Sequence, residues 1–259
     1  MFLQHEASSI LRILFQLPPL HSSVPQQHTM IDFSKRITTP ELMDDPNCDE
    51  ILLFRTLDQF RIVNRLFSRY QRLLTKTILQ DMQPGRTYHL VDVGAGGCDI
   101  PAWLLTQAQK KGLSLRITAL DTDPRITRHA QKAYSHLENL SIVNDSGEHL
   151  EKYAPIDYVF ANHVLHHLDD DTIRTFIQTS TRLANRGVIF SDLKRSRWSY
   201  IGFSIAALVF RHSFTRSDGL LSIRRGFLPA ELADFADSSL TVQTLHPGRV
   251  NLVSNTFTT

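Results

Sequence analysis

From residue 87 onward the chain alternates short apolar runs with segments of helical period. The runs at 88–93, 115–120, 140–143, 158–161 and 187–191 are rich in β-branched and aromatic residues. Gly, Pro, Asn or Asp bound them, so they predict strands. Between them, 100–110, 125–137 and 171–184 repeat with the period of a helix. This alternation of strand and helix predicts an α/β fold: a mainly parallel sheet covered on both faces. The end of the chain breaks the rule. Two strands, 240–245 and 250–254, meet at His246-Pro247-Gly248 and predict a terminal hairpin added antiparallel at one side of the sheet.

Upstream, residues 40–83 read as helical. Thr39-Pro40-Glu41-Leu42 has the form of a capped helix start. Phe54, Leu57, Phe60, Val63, Phe67, Tyr70, Leu74 and Ile78 recur at helical spacing among arginines, as in a pair of amphipathic helices packed on the main domain; the same helices would serve as a lid. Residues 1–29 lack this periodicity, and 18–27 are dense in Pro, Gln, His and Ser, which predicts a linker. Met30 is either a second start or the end of a real extension. The organisation expected is therefore 1–29 extension or linker, 30–86 helical cap, and 87–259 main domain with an insertion at about 195–228. Within that insertion, 200–210 is almost wholly apolar. It predicts a buried helix first, a wall of an apolar pocket second, and a helix lying on a membrane surface third. Arg224-Arg225 reads as a solvated pair, or as a clamp for an anionic substrate.

Composition narrows the function classes. A net charge of +2 over 259 residues does not mark a nucleic-acid binder. No apolar run reaches the length of a membrane span, and no signal peptide is evident. Two distant cysteines, Cys48 and Cys98, fit a reducing cytoplasm and no disulfide framework. No histidine and carboxylate recur at ligand spacing with an obvious third partner, so no metal site is expected.

The chemistry concentrates where the first strand turns into the first helix, at Asp92-Val93-Gly94-Ala95-Gly96-Gly97-Cys98-Asp99. Glycines there permit a sharp turn and close approach of a ligand. The next strand ends in Leu120-Asp121-Thr122-Asp123-Pro124, which places an acid to accept from a ribose diol. A dinucleotide would set its pyrophosphate on the helix N-terminus. Asp92 and Asp99 oppose that anion and suit a ligand with an ammonium and a sulfonium. Asp99 also has the position of a helix N-cap.

These segments, with Asn144-Asp145 and Asp157-Tyr158-Val159-Phe160-Ala161-Asn162-His163-Val164-Leu165-His166-His167-Leu168, resemble the class I S-adenosylmethionine-dependent methyltransferases. They are most similar to the branch of quinone-biosynthesis and polyketide-cluster small-molecule enzymes. The resemblance covers about 87–192, with the segments in family order. It departs at Cys98, where the family often has a third glycine. It implies a Rossmann-like fold with a seven-stranded sheet, and S-adenosyl-L-methionine as cofactor. Asp92 and Gly94 would face its methionine part, Gly96 and Asp121 its ribose, and Asp145 and Ser146 its adenine, with Thr122 and Asn162 completing the cofactor site.

The resemblance also places the stretch after the fourth strand beside the transferred methyl. His163 and His166 are the candidate catalytic residues there, His163 as a base, while His167 reads as structural. The expected reaction is methyl transfer to a small apolar or aromatic metabolite, first of all to a phenol or hydroxyl oxygen. C-methylation in quinone-type biosynthesis is the alternative enzyme reading. A non-catalytic binding subunit and an NAD-dependent oxidoreductase are the remaining ones. No nucleic-acid partner is expected, and the sequence carries no statement of oligomeric state.

Overall fold

The computed structural model describes residues 31–257. The expected extension and its linker at 18–27 lie outside them. One sheet is built from β1 (Thr87–Val93), β2 (Ser114–Asp121), β3 (Leu140–Asn144), β4 (Ile156–Asn162), β5 (Ala184–Leu193), β6 (Leu240–Leu245) and β7 (Arg249–Ser254). Its strand order is β3-β2-β1-β4-β5-β7-β6. The first five strands are parallel, and β7 runs antiparallel between β5 and β6. Nine α-helices are described: α1 (Glu50–Val63), α2 (Tyr70–Lys76), α3 (Ile78–Asp81), α4 (Asp99–Lys110), α5 (Pro124–Tyr134), α6 (Asp170–Leu183), α7 (Arg197–Ala206), α8 (Thr215–Arg225) and α9 (Pro229–Ala233).

The period of two along each strand divides the core. Val91, Val93, Val159, Ala161, Val188 and Phe190 point to one face, where Ile173, Phe176 and Ile177 of α6 cover them. Leu90, Tyr158, Phe160 and Ile189 point to the other. There they meet Ile100, Leu104 and Ala108 of α4, and Tyr70, Leu73, Leu74 and Ile78 of α2 and α3. Strands buried on both faces are what the near-continuous apolar runs demand. Burying each large apolar side chain contributes roughly 1.5–3 kcal/mol.

Two local expectations fail. The start expected at Pro40 makes only a 3-10 turn, Leu42–Asp44. Pro46 lacks the N–H that a helix running through it needs. The helix therefore begins at Glu50, where the Asp49 carboxylate accepts from Ile51 N and Leu52 N at 2.8 and 3.0 Å. The pair of helices expected over 51–79 is three, α1 to α3, separated by two breaks. A π-helical turn spans Asn64–Ser68 and ends at Arg69, with φ +54°. A second break falls at Thr77. At both, a hydroxyl bonds back to the preceding turn: Ser68 Oγ to Asn64 O at 2.6 Å, and Thr77 Oγ1 to Leu73 O at 2.7 Å.

The apolar run at 200–210 is not the buried helix expected. None of the residues of α7 is buried; Trp198 is 83 % exposed and Ile205 64 %. The run is apolar on every side, but only the side with Gly202, Phe203 and Ala206 faces a cavity. Among the described residues no helix is long and apolar enough to cross a membrane.

Candidate active site

At the carboxyl end of β1 the chain turns through Gly94 and Gly96, with φ +66° and +51°. A side chain on Gly94 would put its Cβ 2.4 Å from Val164 Cγ2, so only glycine fits there. At Gly96 a Cβ would meet nothing, and the backbone lies open to a ligand. Cys98 takes the third left-handed position, φ +56°, and caps α4 in place of the expected Asp99. Asp99 is instead the first residue of the helix. Its Oδ2 is buried without a hydrogen-bond partner.

Three carboxylates crowd this loop. Burial raises the pKa of Asp92, Asp99 and Asp121 above the usual carboxylate range, and for Asp92 the charges of Asp99 and Asp121 raise it further. Such a cluster is short of positive charge. Asp121 accepts from Gly96 N at 2.9 Å and from Asp123 N at 3.0 Å, so it already fastens the end of β2 to the glycine loop. A carboxylate has about four acceptor positions, which leaves room for a diol.

Beyond β3, Asp145 serves its own neighbours. It accepts from Ser146 N at 2.8 Å, Tyr153 Oη at 2.7 Å and Lys152 Nζ at 3.2 Å, and it pairs with His149. These hold its pKa below the usual range. Thr122, Asp145 and Ser146 all border the same cavity as the glycine loop.

The opposite wall is built from the ends of β4, β5 and β7. His163, φ +63°, uses Nε2 to contact Nη1 of Arg249. Burial and that guanidinium push its pKa well below 6.5, so the ring is neutral and accepts. Arg249 is fully buried. Its other hydrogen bonds go to Asn162 Oδ1 and to Ser191 Oγ, all neutral partners, and burial lowers its pKa to about 10. His166 is backed by Asp192, with Nδ1 2.7 Å from Oδ1. Burial disfavours its charged form, but Asp192 and Glu41 outweigh that and raise its pKa to about 9. Glu41 Oε1 accepts from Ser222 Oγ at 2.6 Å. Arg225 is no solvated surface residue as expected. It is buried, donates from Nε to His166 O at 3.1 Å, and lies 3.4 Å from Asp44 Oδ2.

A single cavity of about 1360 Å³ joins both walls. Ligand pockets typically run to roughly 300–1,000 Å³. The space therefore suits two ligands side by side. Asp92, Gly94, Gly96 and Asp121 border one end; Asn162, His163, His166 and Arg249 the other; Phe60, Val63 and Phe67 join α7 along the side. Sequence reading had no sign of Glu41 or Arg249 in a site. Asp192 did carry one: it lies one residue before the end of β5, and ligands of open α/β sheets bind at carboxyl ends of strands.

The fold is the α/β methyltransferase fold. Residues 91–189 match the family profile described as a methyltransferase domain. Solved structures agree in fold. The plantazolicin methyltransferase BpumL in complex with a pentazolic desmethylPZN analog and SAH is 10 % identical, with a TM-score of 0.59 over 83 % of this chain and 93 % of that one. A SAM-dependent methyltransferase from Aquifex aeolicus is 14 % identical, with a TM-score of 0.53 over 81 % and 97 %. An O-methyltransferase from neocarzinostatin biosynthesis, in complex with S-adenosylmethionine and 2-hydroxy-5-methyl naphthoic acid, is 20 % identical. Its TM-score is 0.52 over 79 % of this chain and 57 % of that one. Among curated protein sequences nothing matches the chain significantly.

Proposed function

We propose that this enzyme transfers the methyl group of S-adenosylmethionine to a hydroxyl oxygen of a small apolar or aromatic molecule. The observation that carries the reading is the single cavity with an acidic loop at one end and, at the other, a buried arginine whose hydrogen bonds all go to neutral groups. The orphaned Asp99 Oδ2 and the crowded Asp92 and Asp121 suit a ligand that brings an ammonium and a sulfonium. Asp121 would take the ribose diol over the open backbone of Gly96. Thr122, Asp145 and Ser146 would border the adenine, with Ser146 N–H or the Asp145 carboxylate reading its edge. Asn162, held by Arg249, would meet the cofactor from the acceptor end.

The bound cofactor supplies an activated methyl. The protein's task is to hold an oxygen in line with it and keep water out. His163 and His166 form the acceptor-side pair, each fixed by a partner, Arg249 and Asp192. Since the Nε2 of His163 is engaged by Arg249, we give that ring a positioning role and give the charge-stabilising role to Arg249. A guanidinium hydrogen-bonded to neutral partners stabilises the negative charge that develops on the oxygen as its proton passes to solvent and the S–CH3 bond is exchanged for O–CH3. The apolar flank of Phe60, Val63, Phe67 and Phe203 favours a hydrophobic body on the acceptor.

The test is incubation of the full chain with S-adenosylmethionine and a panel of phenols and apolar alcohols. S-adenosylhomocysteine release is followed, and the methyl is located by NMR. Transfer to oxygen is expected. For Arg249→Lys, turnover should fall about 10²–10³-fold while S-adenosylhomocysteine affinity is kept. Transfer to ring carbon would favour the alternative chemistry, and no release above background would remove the proposal.

A further inference from the structure

On the cavity wall, Glu41 from the turn before α1 meets His166 and His167 from the segment after β4. Their ligand atoms all lie within 4.8 Å of one another. His166 Nε2 is 3.4 Å and His167 Nε2 3.8 Å from the same oxygen, Glu41 Oε1. Both rings are held from behind. His166 Nδ1 lies 2.7 Å from Asp192 Oδ1, and His167 Nδ1 3.3 Å from Asp44 Oδ2. A carboxylate on Nδ1 with Nε2 turned to a shared point is how proteins orient metal-binding histidines. The His166 side chain is 1 % exposed, and beyond the 3.4 Å approach to Glu41 Oε1 its Nε2 has no hydrogen-bond partner. A nitrogen left so is costly unless something satisfies it.

The charges and spacing fit the same occupant. Glu41 and Asp44 together face one guanidinium, Arg225, at 4.0 and 3.4 Å. Asp192 adds a third carboxylate behind His166. Ligands about 2.1 Å from a metal stand roughly 3–3.5 Å apart in tetrahedral or octahedral sites. The observed 3.4 and 3.8 Å reach that with shifts of a few tenths of an ångström.

We propose that Glu41, His166 and His167 bind one divalent first-row transition-metal ion, with open positions toward the acceptor half of the cavity. Two imidazoles and one carboxylate select such ions over magnesium or calcium. The site itself stands on these residues; its role rests on the methyl-transfer reading. There the ion would take the acceptor hydroxyl as a ligand and make it more acidic. The hydroxyl proton leaves to solvent. An oxygen lone pair forms the new O–CH3 bond as the S–CH3 bond breaks, and its electrons stay on sulfur as neutral S-adenosylhomocysteine.

The test uses tag-free full chain, treated with chelator and dialysed. Cobalt(II) and zinc(II) chlorides are titrated by calorimetry, with the visible absorption of cobalt as a second readout, and magnesium chloride as comparison. One equivalent of cobalt or zinc should bind, with magnesium much weaker. His167→Ala and Glu41→Gln should each weaken cobalt binding by about 100-fold or more and abolish its visible bands. Because His167 is partly exposed, His167→Ala decides alone if the Glu41 variant does not fold. No cobalt or zinc binding at millimolar concentration, or His167→Ala binding as tightly as the natural chain, would overturn the site. S-adenosylhomocysteine affinity, measured on the same samples, should be unchanged; its absence in the natural chain would count against the methyltransferase reading instead.

Discussion

Two non-glycine residues of the site, Cys98 and His163, hold left-handed backbone at φ +56° and +63°. Such conformations cost about 1–3 kcal/mol and persist where the surroundings enforce them. Cys98 is enforced by its place: its side chain is buried with Ala119 and Ala130 where the glycine loop enters α4. A β-branched residue tolerates this backbone far worse than cysteine. Cys98→Val should therefore lower stability by about 2 kcal/mol or more in urea, whereas Cys98→Gly should stay near neutral, since relief of the backbone offsets the lost side chain. Equal stability of the valine variant would show that the left-handed turn is dispensable. At this scale, legibility followed locality. That Asp92, Gly94, Gly96 and Asp121 border one cavity was legible because two adjacent strand tips and a turn give them their context. Glu41 and Arg249 were not, since Glu41 meets His166 and Arg249 meets His163 only after distant segments have folded together.

The strands and the three helices expected between them were legible to within three residues at each end, because burial on both faces leaves an uninterrupted apolar signal. The helices before β1 were less so. One period runs through 51–79, and nothing in the apolar pattern marks the backbone breaks at Arg69 and Thr77. What anchors this region is polar. Asp81 at the end of α3 accepts from Arg186 Nε and Nη2 at 2.5 and 2.6 Å and from Tyr158 Oη at 2.6 Å, fastening α3 to β4 and β5. Burial works against the Asp81 charge, but Arg186 and Tyr158 outweigh it and lower its pKa. A depressed carboxylate contributes stability that is present above its unfolded pKa, about 3.9, and is lost as pH falls through the folded value. Asp81→Asn should be less stable at pH 7 by about 1–3 kcal/mol, with the difference closing below about pH 4. A constant difference across the acid limb of a denaturation series would remove Asp81 from that role.

On the scale of the whole molecule, strand order brings the two halves of the cavity together. β1 and β4 are neighbours in the sheet but not in sequence, and the chain leaves them toward opposite edges. Crevices form at such a switch point. The tips of β1, β2 and β3 supply the acidic end, and those of β4, β5 and β7 supply His163, Asp192 and Arg249. The most direct measurement is a calorimetric titration of S-adenosylhomocysteine into the full chain and into Asp121→Ala, with NAD as comparison. One equivalent should bind the natural chain. The variant should bind more weakly by about 100-fold or more, as expected from two lost charge-assisted hydrogen bonds, and NAD should not bind. Equal affinity in the variant, or binding of NAD instead, would contradict the account.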